Sequence, residues 1–180
     1  MSQLKVNSIV PTNGLPAGAT GGGIIQTVYS SYDTGVSIGY SGNNVDTGLS
    51  ATINMQSASN KLLIICSPLW SSNSNIAYLM LTDGSGNILQ KPGASDSRGR
   101  YHWGTHYNGA YNGDNQYHTA RETFHCVVSP GATGNYTVKL RAYVTNSGNN
   151  YVYLNRNYYN GNRINDPIGI STLTLYEISG

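Results

Sequence analysis

The sequence predicts an all-β domain, a two-sheet sandwich of the jelly-roll kind, and three observations lead to this fold class. Several runs alternate between apolar and polar residues, which is the period of a strand with one buried face. No window keeps the i, i+3, i+4, i+7 apolar spacing of a helix. About eight such runs, separated by turn clusters, extend from residue 24 to the end. A closed barrel is the alternative arrangement of the same strands.

The first predicted strand of the domain begins at Ile24, in the run GGGIIQTV. The next clear strand, GLSATINMQ, alternates strictly, with Leu49, Ala51, Ile53 and Met55 on one face. The run KLLIICSPLW is apolar almost throughout, which predicts a central strand that ends at Pro68, because proline cannot donate to a sheet.

The second half of the chain continues the pattern. NIAYLMLTDGSGNILQ predicts a hairpin with its turn at residues 83–86. TARETFHCVVSPG and YTVKLRAYVT each alternate, and the latter places Tyr136, Val138, Leu140, Ala142 and Val144 on one face. The runs YVYLN and ISTLTLYEIS are the last two predicted strands.

Charge and composition argue against several classes of protein. Only 10% of residues are charged, against about 25% in an average soluble protein, and the formal net charge is +2. There is no cluster of Lys and Arg, so binding to nucleic acid through phosphate neutralisation is not expected. No apolar run approaches the roughly 18 residues of a membrane helix, and no membrane insertion is expected. Cys66 and Cys126 are predicted to be buried free thiols, with a bridge between adjacent strands as the alternative.

The first 23 residues form a predicted arm, separate from a head domain at residues 24–180. LKVNSIV has the alternation of a strand, and a tether rich in Gly, Pro, Ala and Thr follows it. A strand outside its own domain must pair its backbone groups elsewhere, so we expect the partner to be another chain. A disordered leader is the alternative. The predicted anchoring residues are Leu4, Val6, Ile9 and Val10.

Two long polar segments, residues 93–118 and 145–167, are rich in Tyr, Asn, Gly and Arg. Tyr and Trp offer large contact area at low entropy cost, and Asn offers adaptable hydrogen bonds, which together suit sugar binding. Subunit interfaces are also rich in Tyr and Arg, so packing between protomers is the alternative for both segments. The predicted glycan contacts in the first segment are Tyr101, Trp103, Tyr107, Asn108, Tyr111, Asn112 and Tyr117. The second segment is assigned to packing between subunits, through Tyr151, Tyr153, Arg156, Tyr158 and Tyr159.

No catalytic or metal-binding constellation is evident in the sequence. His102 and His106 would lie about 13 Å apart on a strand, too far for one metal ion. Most of the eight carboxylates occupy turn positions, although Asp96 and Asp114 share one aromatic segment, which keeps a glycan hydrolase as a less favoured reading. We therefore expect no enzymatic activity, no metal and no cofactor.

Four stretches taken in order, SQLKVNSIVPTNG, GGGIIQTV, TGLSATINMQSASNKLLII and STLTLYEISG, resemble a family of small virion structural proteins. These are encoded by marine and freshwater bacteriophages, cyanophages among them, and are labelled tail fibre. The resemblance implies a homotrimer of jelly-roll domains, similar in build to complement-type and tumour-necrosis-factor-like heads, on the particle surface. Only about 23 residues precede Ile24, which favours a short spike, a tip or a decoration protein over a long fibre.

The expected function is therefore attachment of a phage particle to host-surface glycans by a short tail fibre or spike head. A capsid or tail decoration (cement) protein with a purely structural role is the alternative, and a small glycan depolymerase is less favoured. The expected partners are two further copies of the chain, other virion proteins held through the arm, and a host glycan. The expected location is the virion, after assembly in the host cytoplasm.

Overall fold

The computed structural model describes residues 23–41, 43–73, 77–93, 100–104, 119–145, 150–158 and 168–180. Some residues of the predicted sites lie outside these ranges. They are the arm residues Leu4, Val6, Ile9 and Val10, the loop residues Tyr107, Asn108, Tyr111, Asn112 and Tyr117, and Tyr159.

The part of the chain that the structure describes contains eleven β-strands and no helix, which confirms the all-β prediction. The strands are β1 (Ile24–Tyr32), β2 (Val36–Gly39), β3 (Val45–Met55), β4 (Lys61–Ser67), β5 (Leu69–Ser72), β6 (Ala77–Asp83), β7 (Ala120–Arg121), β8 (Phe124–Val128), β9 (Gly134–Val144), β10 (Tyr151–Leu154) and β11 (Ser171–Ile178).

The strands form three antiparallel sheets in a sandwich-like arrangement. The orders are β1-β11-β4-β8, β2-β10-β5-β7 and β3-β9-β6. Among the described strands, the chain passes directly between the first two sheets four times, from β1 to β2, from β4 to β5, from β7 to β8 and from β10 to β11. The break between β4 and β5 falls at Pro68, where the sequence predicted a strand end.

The core contains buried apolar residues of all three sheets, among them Ile38, Trp70 and Val152 of the second sheet, and the alternating runs supply much of it. The predicted inward face of β3 is buried, with Leu49, Ala51, Ile53 and Met55 all below 7% exposed. The apolar residues of β4 and β9 meet this face from the other strands. Both cysteines are free and buried, as predicted, on the paired strands β4 and β8.

Two predicted strands differ in the structure. In the predicted hairpin, the turn after Asp83 is present, but its second arm makes only an isolated bridge between Thr82 and Ile88. The run at 119–130 splits into β7 and β8, with Glu122 and Thr123 between them. The alternation of burial is interrupted there, since Arg121, Glu122 and Thr123 are all exposed, and the charged Glu122 is the one sign of the break in the sequence.

A buried carboxylate joins three strands at one end of the sandwich. Glu177 of β11 is fully buried and accepts hydrogen bonds from Gln26 Nε2 at 2.5 Å, from the Gln56 backbone N–H at 2.8 Å and from Asn60 Nδ2 at 2.5 Å. Burial alone would raise the pKa of Glu177, but these hydrogen bonds outweigh it and lower the pKa below its ordinary value. The carboxylate therefore ties β1 and the β3–β4 turn to β11.

A second polar junction lies where the first two sheets meet. Asn155, with a left-handed φ of 59°, is fully buried. Its Nδ2 donates to the Tyr32 carbonyl oxygen at 2.7 Å, and its Oδ1 accepts from Ser171 Oγ at 2.6 Å. Ser171 Oγ in turn accepts from the Leu69 backbone N–H at 2.9 Å. These hydrogen bonds connect the ends of β1, β5, β10 and β11, where the chain passes from one of these two sheets to the other.

Candidate functional site

Three tyrosines stack on the outer face of the third sheet, and we call them the tyrosine platform. Tyr78 of β6 and Tyr143 of β9 are direct cross-strand partners. The ring of Tyr101 lies 4.2 Å from that of Tyr78 and 5.7 Å from that of Tyr143, measured between centroids. Partial burial and the two neighbouring phenols raise the pKa of Tyr101, so its phenol stays a neutral hydrogen-bonding group at physiological pH.

The residue after Tyr101 fixes the platform to the sheet. His102 Nδ1 accepts a hydrogen bond from the Leu81 backbone N–H at 2.9 Å, and its Nε2 donates to the Leu89 carbonyl oxygen at 2.7 Å. This pairing requires a neutral ring with its proton on Nε2. Burial lowers the pKa of His102, which favours that neutral form. The ring also packs against Phe124, with centroids 4.4 Å apart.

The structure corrects the prediction that Trp103 contacts a glycan. Trp103 is 3% exposed and belongs to the core. Its Nε1 donates to the Glu122 carbonyl oxygen at 3.2 Å, and its ring meets Phe124 edge to face. A buried indole has no free face for a sugar, so Trp103 anchors the segment that carries Tyr101 instead. Its backbone pairs with Leu79 of β6.

The described residues predicted to pack between subunits lie on β10 of the second sheet or in the residues that follow it, and they pack against their own chain. Tyr153 is 4% exposed, with the Arg156 guanidinium carbon 5.2 Å from its ring centroid. Burial raises the pKa of Tyr153 strongly. Tyr151 and Tyr158 lie 5.9 Å and 5.7 Å from the Tyr153 ring. Of the described residues of this group, Tyr158 has the largest exposed fraction, 42%.

Glycines of β2 and of the bend before it make room for this cluster. A Cβ at Gly39 would lie 3.0 Å from Cε1 of Tyr151, and one at Gly35 would lie 3.2 Å from Cδ of Arg156. The long side chains therefore rest directly on the neighbouring backbone. This intrachain packing explains the Gly content of the region and leaves the predicted role between subunits untested.

An open groove, the β2–β3 groove, lies between two strands that do not pair with each other. Its volume is about 520 Å³, within the range of roughly 300–1,000 Å³ typical of small-ligand sites. The ring of Tyr32 lies against Gly48, where φ is +99° and a Cβ would approach the ring to 2.7 Å. The groove is lined mainly by Tyr32, Ser37, Ile38, Tyr40, Asp46 and Thr47.

Asp46 lines the groove with a carboxylate that is paired with two cations. Arg141 Nε lies 2.6 Å from Asp46 Oδ1, and Lys139 Nζ lies 3.0 Å from Oδ2. Partial burial would raise the pKa of Asp46, but the hydrogen bond from Lys139 and the charges of both cations outweigh it and lower the pKa. The carboxylate is therefore ionised and oriented at physiological pH.

Sequence reasoning missed this groove. Val36–Gly39 is too short to show a clear period, and the groove combines Tyr40, which follows β2, with Asp46 of β3. Nothing near Asp46 in the sequence sets it apart from the other seven carboxylates. One signal in the sequence could have indicated Asp46. Lys139 and Arg141 lie two residues apart on one strand face, and such a pair predicts an acidic residue on a neighbouring strand.

Several reactive chemistries find no support among the described residues. Within those ranges no three side chains of His, Cys, Asp or Glu cluster as metal ligands would, and no helix is long and apolar enough to cross a membrane. Burial raises the pKa of the Cys126 thiol to about 11 and that of Cys66 further still, so neither is a thiolate at neutral pH. Asp96 and Asp114, the carboxylates considered for hydrolysis, lie outside the described residues.

No protein-family model matches this sequence, and comparison with curated proteins also finds no match.

Proposed function

We propose that the chain is a non-enzymatic structural protein of a bacteriophage virion, the head of a short tail fibre or spike that attaches the particle to host-surface glycans. The proposal combines the resemblance in the sequence with three features of the structure. They are the strand order, the apolar outer face of the first sheet and the tyrosine platform. The tyrosine platform is the observation that carries glycan recognition.

The strand order supports a jelly roll. We count eight strands of the first and third sheets in chain order, from one to eight: β1, β3, β4, β6, the segment at Trp103, β8, β9 and β11. In this count the order of strands is 1-8-3-6 in the first sheet and 2-7-4-5 in the third. First then pairs with last, second with seventh, third with sixth and fourth with fifth. A long antiparallel ladder rolled into two facing sheets gives this order, which is that of a jelly roll.

The outer face of the first sheet supports association of copies. Leu63, Ile65, Tyr176 and Val127 form a central apolar patch across β4, β11 and β8, and Val127 is 42% exposed. At the edge, Tyr29 is 62% exposed. Among the outward side chains of these four strands there is no carboxylate. Such faces mark protein–protein contacts, and we propose that a homotrimer buries this one.

The tyrosine platform supports contact with sugars. Its three rings are half-buried and rigidly stacked, so they offer ring faces and phenolic hydroxyls at little entropy cost. The chain continues from Gly104 into the segment that holds Tyr107, Asn108, Tyr111, Asn112 and Tyr117. We propose that these residues extend the glycan surface, and that residues 1–23 attach the head to other virion proteins.

The test is binding of the purified chain to an array of bacterial lipopolysaccharide and capsule fragments. The proposal expects retention of at least one polysaccharide, and a loss of about tenfold in affinity in the double variant Tyr78→Ala and Tyr101→Ala. Asn135→Ala is the control, since it removes an exposed side chain from the other end of β9, eight residues from Tyr143. Retention that is unaffected in the double variant would contradict a role for the platform.

A decoration protein is the second candidate, because the apolar outer face would serve a purely structural trimer equally well. Mass measurement in solution tests the trimer, and a stable monomer would refute both candidates. A trimer that binds no glycan, together with loss of particle stability when the gene is deleted, would favour decoration. Release of reducing sugar, abolished by Asp96→Ala or Asp114→Ala, would instead indicate a depolymerase.

A further inference from the structure

The β2–β3 groove has the chemistry of a saccharide site and lies apart from the residues that the sequence singled out. Tyr40 stands at its rim and is 49% exposed, although aromatic side chains are usually more buried. The floor is apolar, formed in part by Ile38, which is 7% exposed. A groove with an apolar floor, an exposed ring and a few fixed polar groups matches the way proteins hold small polar ligands.

Asp46 has acceptor capacity left for a ligand. A carboxylate has about four lone-pair positions on its two oxygens. Lys139 Nζ donates a hydrogen bond to Oδ2 at 3.0 Å, and Arg141 Nε forms an ion pair with Oδ1 at 2.6 Å, so at least two positions stay open. The remaining positions suit two donors from one ligand, such as neighbouring hydroxyl groups of a sugar. The two cations hold the carboxylate still, so little ordering entropy is lost on binding. The side chain of Asp46 is 47% exposed, which leaves these positions accessible.

An extended peptide is a less suitable occupant, even though the groove runs between strand edges. In the described residues β2 pairs only with β10, and β3 only with β9. However, β2 is four residues long, and β3 carries a register shift between Asp46 and Ser50 at the positions that line the groove. Short strands, bulges and an edge charge are the features that discourage strand addition. The geometry therefore favours a compact polar ligand.

The register of β3 and β9 places Asp46 of the groove close to Tyr143 of the platform. Asp46 pairs with Arg141 across β3 and β9, and Tyr143 of the platform lies two residues further along the same face of β9. Two residues along a strand span about 6.5–7 Å. A short oligosaccharide would thus reach from the groove across Arg141 to the platform.

We propose that the β2–β3 groove binds a neutral hexose, whose hydroxyl groups donate to Asp46 and whose C–H face rests on Tyr40. This inference rests on the proposed glycan recognition and names the sugar-binding subsite and its ligand class. The bound hexose is one unit of a glycan that continues onto the platform.

The experiment titrates the full-length chain with methyl glycosides of glucose, galactose and mannose, followed by nuclear magnetic resonance. The proposal expects weak, saturable binding of at least one of them. Tyr40→Ala lowers the affinity about tenfold, and Tyr40→Phe retains most of it because the ring remains. Asp46→Asn lowers it severalfold. Asn135→Ala, at the other end of β9, binds as the unaltered chain does.

Other outcomes overturn the inference. If array polysaccharides bind and Tyr40→Ala binds them unchanged, the groove is not the subsite, whereas the proposed function stands. If no polysaccharide on the array is retained and no glycoside binds, both fail. A synthetic peptide of residues 4–10 that shifts the signals of Val36 and Tyr40, in place of any glycoside, would make the groove a strand-docking site instead. The near-ultraviolet circular dichroism of each variant checks that it is folded.

Discussion

Replacing Glu177 by Gln is the sharpest test of how this fold is held together. The change keeps the size of the side chain but turns one acceptor oxygen into an amide donor. Glu177 is fully buried, and every hydrogen bond described for its two oxygens comes from a donor: Gln26, Asn60 and the backbone of Gln56. Whichever way the new amide points, a donor then faces a donor.

The magnitude follows from the bonds that are lost. A hydrogen bond to a charged group contributes about 1.5–3 kcal/mol, and an unsatisfied buried donor costs about 1–3 kcal/mol. Loss of one such contact, with partial relaxation of the rest, gives a decrease of about 2–4 kcal/mol in the free energy of unfolding. For a domain of this size that lowers the melting temperature by about 4–16 °C. The loss is large against a total stability of about 5–15 kcal/mol.

The pH dependence adds an independent readout. The folded state lowers the pKa of Glu177 below its ordinary value of 4.5. The contribution of its ionised form to stability is therefore complete above about pH 4.5 and is lost as the pH falls through the lower, folded value. The gap in stability between the unaltered chain and Glu177→Gln should narrow over that acidic range.

Thermal and urea unfolding, followed by circular dichroism across pH, measure both effects. Glu122→Gln is the matched control, because Glu122 is exposed, and it should change stability by less than about 0.5 kcal/mol. A Glu177→Gln variant as stable as this control at neutral pH, or a gap that does not narrow in acid, would refute the buried-carboxylate argument.

Three further predictions concern backbone, thiols and a histidine. Gly48→Ala should lower the free energy of unfolding by about 1–3 kcal/mol, because φ is +99° and a Cβ would meet a tyrosine ring. Gly134→Ala, where φ is +92° and the space is open, should lower it by less. Equal losses for the two variants in urea titrations would contradict the contribution assigned to the clash with the ring. A thiol reagent at neutral pH should leave Cys66 and Cys126 unmodified until the chain unfolds, and fast labelling of the native protein would contradict their burial. Burial lowers the pKa of His102 below 6.5 in the folded protein, so the unfolded chain binds the proton more readily and stability should fall as the pH drops below 6.5. A His102→Gln variant should show a smaller fall. Identical pH profiles of stability for the two proteins would exclude a contribution from His102.

The sequence pattern predicted the strands that have one buried face and missed features made by contacts between distant residues. Leu49 to Met55 and Val138 to Val144 alternate in the sequence and are buried in the same alternation in the structure. Trp103 looks like a surface aromatic because its neighbours in sequence are polar, yet its backbone pairs with Leu79 and its ring enters the core. No local pattern contains that pairing, because the two residues are far apart in the chain.

The same limit explains why the groove and the platform are visible only in the fold. The cross-strand neighbours Asp46 and Arg141 are 95 positions apart in the sequence, and Tyr78 and Tyr143 are 65 apart. The register of β9 places both pairs on one face, two residues from each other. A single shift of that register would turn Arg141 and Tyr143 into the core and remove both sites together. The strict alternation of β9, which buries Leu140, Ala142 and Val144, therefore maintains the proposed glycan surface as well as the core.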